Sequence, residues 1–275
     1  MTVPTSAPAS RTFDLRDGLT VTVTQQGDAT AAGGTGVLLL HGAGGPLTVA
    51  GFGAALAEDT YVITPVHPGF DGQPRPDWTD RVSDLASAYL DLLDILDLRQ
   101  VLVIGSSMGG WVAAEMALRD NHRRIGGLVL LNAAGIQAGG QEIADITSLT
   151  PAELGRLSFY NPAFRPDLSA LNEQQLAAVA ANQRTLAVYA ADPYLHDPKL
   201  RRRLHRVTVP VLVAWGEEDG VIPVDYGRAY AESFPNGRFE LIPEAGHLPH
   251  LEQAARTLEL VRNFADSEVA RPVAG

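Results

Sequence analysis

The 275-residue chain contains no cysteine. Disulfides, thiolate nucleophiles and thiolate metal sites are thereby excluded, while the redox compartment stays undetermined. Basic residues are outnumbered: Lys and Arg total 21 against 32 Asp and Glu, a formal net charge of −11. That balance argues against a nucleic-acid backbone or an anionic membrane as partner. No apolar run approaches the roughly 18 residues that a membrane helix needs. Met1 to Arg11 is rich in Thr, Ser, Pro and Ala but lacks the apolar core of a signal peptide, so a cytoplasmic protein is expected. A phosphate or dinucleotide cradle is missing too, because Gly33-Gly34-Thr35-Gly36 precedes a strand instead of following one. His196, His205, Asp192 and Asp197 lack the spacing of a zinc motif, so neither a metal nor another cofactor is expected.

What the chain does have is a rhythm of short apolar runs. Leu19 to Thr24 alternates apolar and polar residues as a half-buried strand does. Val37-Leu38-Leu39-Leu40, Tyr61 to Pro65, Val101 to Ile104, Leu128 to Leu131 and Val209 to Trp215 are nearly continuous, as in strands buried on both faces, and Arg238 to Ile242 closes the series. Apolar residues at helical spacing lie between some of them, for example Val82, Leu85, Tyr89, Leu92, Leu93 and Leu96. Alternation of this kind predicts an α/β fold, with a mostly parallel central sheet covered by helices on both faces. Between residues 136 and 206 the strand rhythm stops. Thr150-Pro151-Ala152-Glu153 and Asn172-Glu173 are helix-start signals there, so an inserted helical cap is expected over 136–206. The core would then comprise 1–135 and 207–275, with 1–11 a flexible tail. Of the cap aromatics Phe159, Tyr160, Phe164, Tyr189 and Tyr194, most are expected to pack between cap and body. Arg201-Arg202-Arg203 reads as a solvated or dipole-complementing helix end instead of a nucleic-acid patch.

One connection stands out. Gly105-Ser106-Ser107-Met108-Gly109 joins a buried strand to a helical stretch. In so tight a turn the residues two before and two after the tip nearly touch and must be small. Gly105 and Gly109 meet that condition for Ser107, whereas Ile104 and Met108 would collide around Ser106. G-x-S-x-G is the nucleophile-elbow pattern; a serine at such a turn also fits a helix N-cap. A reactive serine would need an imidazole to accept its proton and a carboxylate to hold that imidazole, in loops at the same sheet edge. Gly216-Glu217-Glu218-Asp219-Gly220 offers the acid, with Asp219 first and Glu217 and Glu218 as rivals. Glu244-Ala245-Gly246-His247-Leu248-Pro249-His250 offers His247, with His250 as rival. The N–H of Met108, at the start of the following helix, would face a developing oxyanion.

The order Ser107, Asp219, His247 resembles the α/β-hydrolase superfamily. So do the strand ending W-G-x-x-D with Pro223 four residues on, and G-H followed five residues later by Glu252. The resemblance spans about residues 36 to 264 and selects Asp219 and His247 over their rivals. It implies a second oxyanion donor after His41-Gly42, the N–H of Ala43, with Gly44 the alternative. One departure is Val66-His67-Pro68-Gly69-Phe70-Asp71-Gly72, where the usual leading Asp is absent; His67 is read as a loop hydrogen-bonder, with a pocket-lining group the alternative. The resemblance thus implies a cofactor-free serine hydrolase acting on a small molecule, an ester or lactone of a small, partly apolar acid. A carbon–carbon bond hydrolase of the meta-cleavage-product type competes with this and would call on Arg165 or Arg184 for a substrate carboxylate. A ligand-binding or receptor-like role without significant turnover is the reading from another class. Self-association as a homo-oligomer is left open.

Overall fold

The computed structural model describes residues 8–29, 33–167, 170–190 and 192–269. Eight strands form one sheet in the order β1-β2-β4-β3-β5-β6-β9-β10. They are β1 (Ala9–Asp14), β2 (Thr20–Gln26), β3 (Val37–Leu40), β4 (Val62–Pro65), β5 (Val101–Ser106), β6 (Ile125–Leu131), β9 (Val211–Gly216) and β10 (Gly237–Ile242). β1 and β2 run antiparallel, and every pairing from β4 to β10 is parallel. Successive side chains of a strand point to opposite faces, which is why the continuous apolar runs are needed. Leu38, Leu40, Val101 and Val103 join Tyr89, Trp111 and Tyr226 on one face; Val37, Leu39, Leu102 and Ile104 join Phe52, Val261 and Phe264 on the other. Helices α2 (Val82–Ile95), α3 (Met108–Arg119) and α6 (Val224–Ala231) supply the first face; α1 (Leu47–Leu56) and α8 (Ala254–Phe264) supply the second. This is the α/β-hydrolase arrangement.

The expected tail is corrected in part. Ala9, Ser10 and Arg11 pair with Gln25, Thr24 and Val23 as the edge strand β1. Only Phe13 of β1 is buried, so its backbone ladder leaves almost no apolar alternation to read; residues 1–7 lie outside the described residues. The helical stretch after the last strand is broken in two. α7 (Pro249–Glu252) and α8 are separated by Gln253, whose φ/ψ of −122°/48° is not helical.

From Gly135 the chain leaves the main sheet. A short parallel ladder, β7 (Gly135–Ile136) with β8 (His196–Asp197), brackets an excursion that carries α4 (Pro151–Ser158) and α5 (Glu173–Ala190). Both start signals are used. Thr150 and Glu153 form a reciprocal capping box, and Asn172 exchanges hydrogen bonds with Gln175 across the first turn of α5. Of the aromatics here, Phe159 and Tyr189 are buried and Tyr194 packs partly buried against the core, whereas Tyr160 and Phe164 are 46% and 42% exposed, so most of them pack as expected. Arg203 is another correction: instead of being solvated, its guanidinium pairs with the buried Glu115 of α3 at 3.1 Å and with Asp197.

Candidate active site

The elbow forms because two glycines leave it room. A Cβ on Gly105 would press into the Gly109 carbonyl, and one on Gly109 would lie 2.7 Å from the His41 carbonyl oxygen. Ser107 sits at the tip with φ/ψ of 52°/−117°, a positive φ that few non-glycine residues adopt. Its carbonyl accepts from Gly110 N–H at 3.0 Å and Ala134 N–H at 3.2 Å, and its own N–H donates to Leu131 at 2.9 Å. The strained residue is therefore over-determined by its surroundings. Ser107 is partly exposed, whereas Ser106 is buried.

Ser107 Oγ lies 3.0 Å from His247 Nε2, and His247 Nδ1 lies 2.9 Å from Asp219 Oδ2. An ionised carboxylate can only accept, so Nδ1–H donates to Asp219 and Nε2 is left to accept the Ser107 hydroxyl proton. Asp219 is held on every side: Oδ1 accepts from Val221 and Ile222 N–H at 2.8 and 2.9 Å, and Oδ2 also accepts from Asn132 Nδ2 at 2.7 Å. The rivals lie elsewhere. Glu217 and Glu218 are exposed. His250 is buried and its Nε2 faces the Thr48 carbonyl at 3.1 Å; burial pushes it down to about 4.

Of the two expected amide donors, Met108 follows Ser107 as the first residue of α3, and Ala43 follows Gly42, whose backbone lies close to the serine. A Cβ on Gly42 would lie 3.0 Å from Ser107 Cβ and 3.6 Å from its Oγ, so the backbone at Gly42 closely approaches the Ser107 turn. Beneath it lies a buried polar stack. His41 Nδ1–H donates to the Gly42 carbonyl at 2.7 Å, and His41 Nε2 accepts from His67 N–H at 3.1 Å. His67 Nε2–H donates to the His41 carbonyl at 2.9 Å, and His67 Nδ1 accepts from Tyr89 Oη–H at 2.5 Å. Loss of water pushes His41 down to about 4 and His67 well below the usual imidazole range, so both rings are neutral and each tautomer is fixed by its partners. His67 is a loop hydrogen-bonder, as the sequence suggested.

A cavity of about 450 Å³ opens beside this loop, lined by Ala43, Gly44, Leu154, Asn182, Arg184 and Leu186 among others. Of the two cap arginines considered, Arg184 borders the cavity; Arg165 packs its stem over Gly155 and donates to the Phe159 carbonyl at 3.3 Å.

Three contributors escaped the sequence reading. Asn132, at φ 45°, follows β6, accepts from Gly216 N–H at 3.2 Å and donates to Asp219. A polar residue ending an all-apolar strand beside the elbow strand was the available signal. Glu252 served only as a family marker, yet it accepts from Gly246 N–H and Asn161 N–H at 2.7 Å each and so sets the His247 loop. Tyr89 looked like one more apolar position of α2; nothing in its spacing announced the His67 bond.

The family model described as alpha/beta hydrolase family matches residues 37–260. A 2-hydroxymuconate semialdehyde hydrolase of Pseudomonas putida is 27% identical over 281 residues, covering 96% of this chain and 97% of its own length. Among solved structures, a bacterial membrane phospholipase A superposes with a TM-score of 0.79 at 22% identity, covering 94% of this chain and 86% of its own. A thermophilic esterase from Thermogutta terrifontis does so at 0.71 and 24%, covering 95% and 98%. The model's span over all but the two ends of the chain makes this protein a member of the alpha/beta hydrolase family.

Proposed function

We propose that the protein is a serine hydrolase that cleaves an ester or lactone of a small, partly apolar acid through an acyl-enzyme on Ser107. The observation that carries this reading is the unbroken chain from Ser107 Oγ through His247 to Asp219, at 3.0 and 2.9 Å. His247 Nε2 takes the hydroxyl proton as Oγ attacks the carbonyl, and Asp219 stabilises the imidazolium that forms. Met108 and Ala43 N–H hold the oxyanion, and the proton passes from His247 to the leaving alcohol. Water, deprotonated by His247, then releases the acid and restores Ser107. Each oxyanion donor of this kind is worth about 10²–10³ in kcat. Residues 136–206 act as a cap, and Leu154, Asn182 and Leu186 from it line the cavity beside Ala43 and Gly44. A volume near 450 Å³ falls in the range of small-molecule sites.

Arg184 on the cavity wall favours a second reading. A guanidinium there could pair with a substrate carboxylate, as carbon–carbon cleavage of a vinylogous diketone acid would need, and the Pseudomonas putida relative bears the name of a semialdehyde hydrolase. Turnover of aryl esters, lactones and vinylogous diketone acids by wild type and Ser107→Ala separates these readings. Ester or lactone turnover abolished in Ser107→Ala supports the first. Faster cleavage of the diketone acid, lost in Arg184→Ala, supports the second. No turnover of any of the three leaves a ligand-binding role.

A further inference from the structure

The excursion helix α5 does more than border the cavity. Asn182, Thr185 and Tyr189 lie three and four residues apart, on one stripe of a helix. All three bond the backbone of a single loop, the one that follows β4. Asn182 Oδ1 accepts from Asp71 N–H at 2.8 Å, Thr185 Oγ1–H donates to the Gly69 carbonyl at 2.8 Å, and Tyr189 Oη–H donates to the Pro68 carbonyl at 3.0 Å. Gly69 and Asp71 have φ of 87° and 49°, so the loop is held in a conformation that it would not keep unaided.

The other side of that loop is His67, whose backbone and ring both bond His41. His41 in turn donates to the Gly42 carbonyl. A trans peptide is planar, with its C=O and N–H pointing in opposite directions. Fixing the Gly42 carbonyl therefore fixes where the Ala43 N–H points. The path from α5 to that N–H has no gap: Tyr189 and Thr185 to Pro68 and Gly69, the adjacent His67 to His41, and His41 to the Gly42–Ala43 peptide. Asn182 also reaches the oxyanion loop directly, since a Cβ on Gly45 would lie 2.8 Å from its Nδ2.

We propose that Asn182, Thr185 and Tyr189 of α5, acting through the Pro68–Asp71 loop and the His67–His41 pair, are positioning residues that aim the Ala43 amide at the oxyanion. The proposal rests on the serine-hydrolase reading above. Because Asn182, Arg184 and Leu186 of the same helix line the cavity, a substrate that seats α5 well also completes the oxyanion hole. Substrate fit is then expressed in kcat more than in KM.

The test compares wild type with Thr185→Val/Tyr189→Phe, which removes two hydroxyls with little change of shape. The readouts are kcat and KM on an aryl ester and Ki for a trifluoromethyl ketone, whose adduct oxygen occupies the oxyanion position. The expected result is a 10- to 100-fold fall in kcat, a matching rise in Ki and a KM within threefold. Thr185→Ser, which keeps the hydroxyl, is expected to retain wild-type kcat and Ki. If the double variant does not fold, Tyr189→Phe alone carries the test, with at least a threefold matched change in kcat and Ki. Matched kcat and Ki values within twofold of wild type would overturn the coupling, as would a change confined to KM. A wild-type chain that turns over no ester removes the hydrolase reading and the coupling with it; wild-type turnover with unaltered variants removes the coupling alone.

Discussion

Asp219→Asn exchanges one oxygen for an amide and leaves the shape of the site intact, so its effect can be worked from the bonds around it. The two main-chain N–H groups of Val221 and Ile222 at Oδ1 fix the new amide oxygen there. The NH₂ then occupies the Oδ2 position, facing His247 Nδ1 and Asn132 Nδ2. Asn132 cannot turn its own amide over without losing the Gly216 N–H bond at its Oδ1. His247 is thus driven to offer a lone pair at Nδ1, which moves its proton to Nε2. A protonated Nε2 donates to Ser107 Oγ and cannot deprotonate it. The corresponding exchange in a serine protease triad costs about 10⁴ in kcat, or about 5.4 kcal/mol of transition-state stabilisation, and a loss of that order is expected here. KM should change little, because Asp219 bonds His247 and main chain and is buried away from the cavity. Donor facing donor at Asn132 adds a stability loss of about 1–3 kcal/mol, readable by urea unfolding. Steady-state hydrolysis of an aryl ester at neutral pH is the assay, with Glu217→Gln and Glu218→Gln as controls that should match wild type. A folded Asp219→Asn enzyme with kcat within tenfold of wild type would refute the tautomer argument.

Three further outcomes follow from the same geometry. Gly109→Ala drives a methyl against the Leu40 and His41 carbonyls, so it should either fail to fold or lose more than about 100-fold in kcat, since a small displacement of reacting groups costs that much; a soluble variant with wild-type turnover would contradict it. Glu252→Gln leaves one acceptor where Gly246 and Asn161 N–H now have two oxygens, and a loss of about 1–3 kcal/mol should lower Tm by several degrees in a thermal melt. Finally, His41 and His250 titrate at about 4 when folded against 6.5 when unfolded, and burial depresses His67 in the same direction. The unfolded chain binds these protons first, so stability is intact above pH 6.5 and falls as pH drops towards 4. Each of the two imidazoles contributes on the order of 3 kcal/mol to that fall. Urea midpoints at pH 7.5 and 5 check the sign; equal midpoints would count against neutral burial.

The fold was legible because buried parallel strands must be apolar on both faces, and Val37–Leu40, Val101–Ile104 and Leu128–Leu131 are. Sterics placed Ser107 instead of Ser106 at the tip of the turn, since only glycine tolerates the approach of residues 105 and 109; reading it as more than a helix cap needed the acid and the histidine later in the chain. Choosing Asp219 over Glu217 and His247 over His250 needed the family pattern; geometry supplies the reason, in four accepted hydrogen bonds for Asp219. Edge strand β1 stayed hidden because its ladder is backbone and its side chains mostly face water. Asn132, Glu252 and the His67–Tyr89 bond stayed hidden for a different reason. Their partners lie 87, 6 and 22 residues away, and no local period encodes a hydrogen bond across the sheet edge.

The most direct test of the account is covalent. Wild type is treated with a fluorophosphonate at neutral pH, followed by intact mass and peptide mapping. One adduct on Ser107, absent in Ser107→Ala and not transferred to Ser106, is the predicted result. A folded wild-type protein that takes no label, or takes it on another residue, would contradict the assignment of Ser107 as the nucleophile.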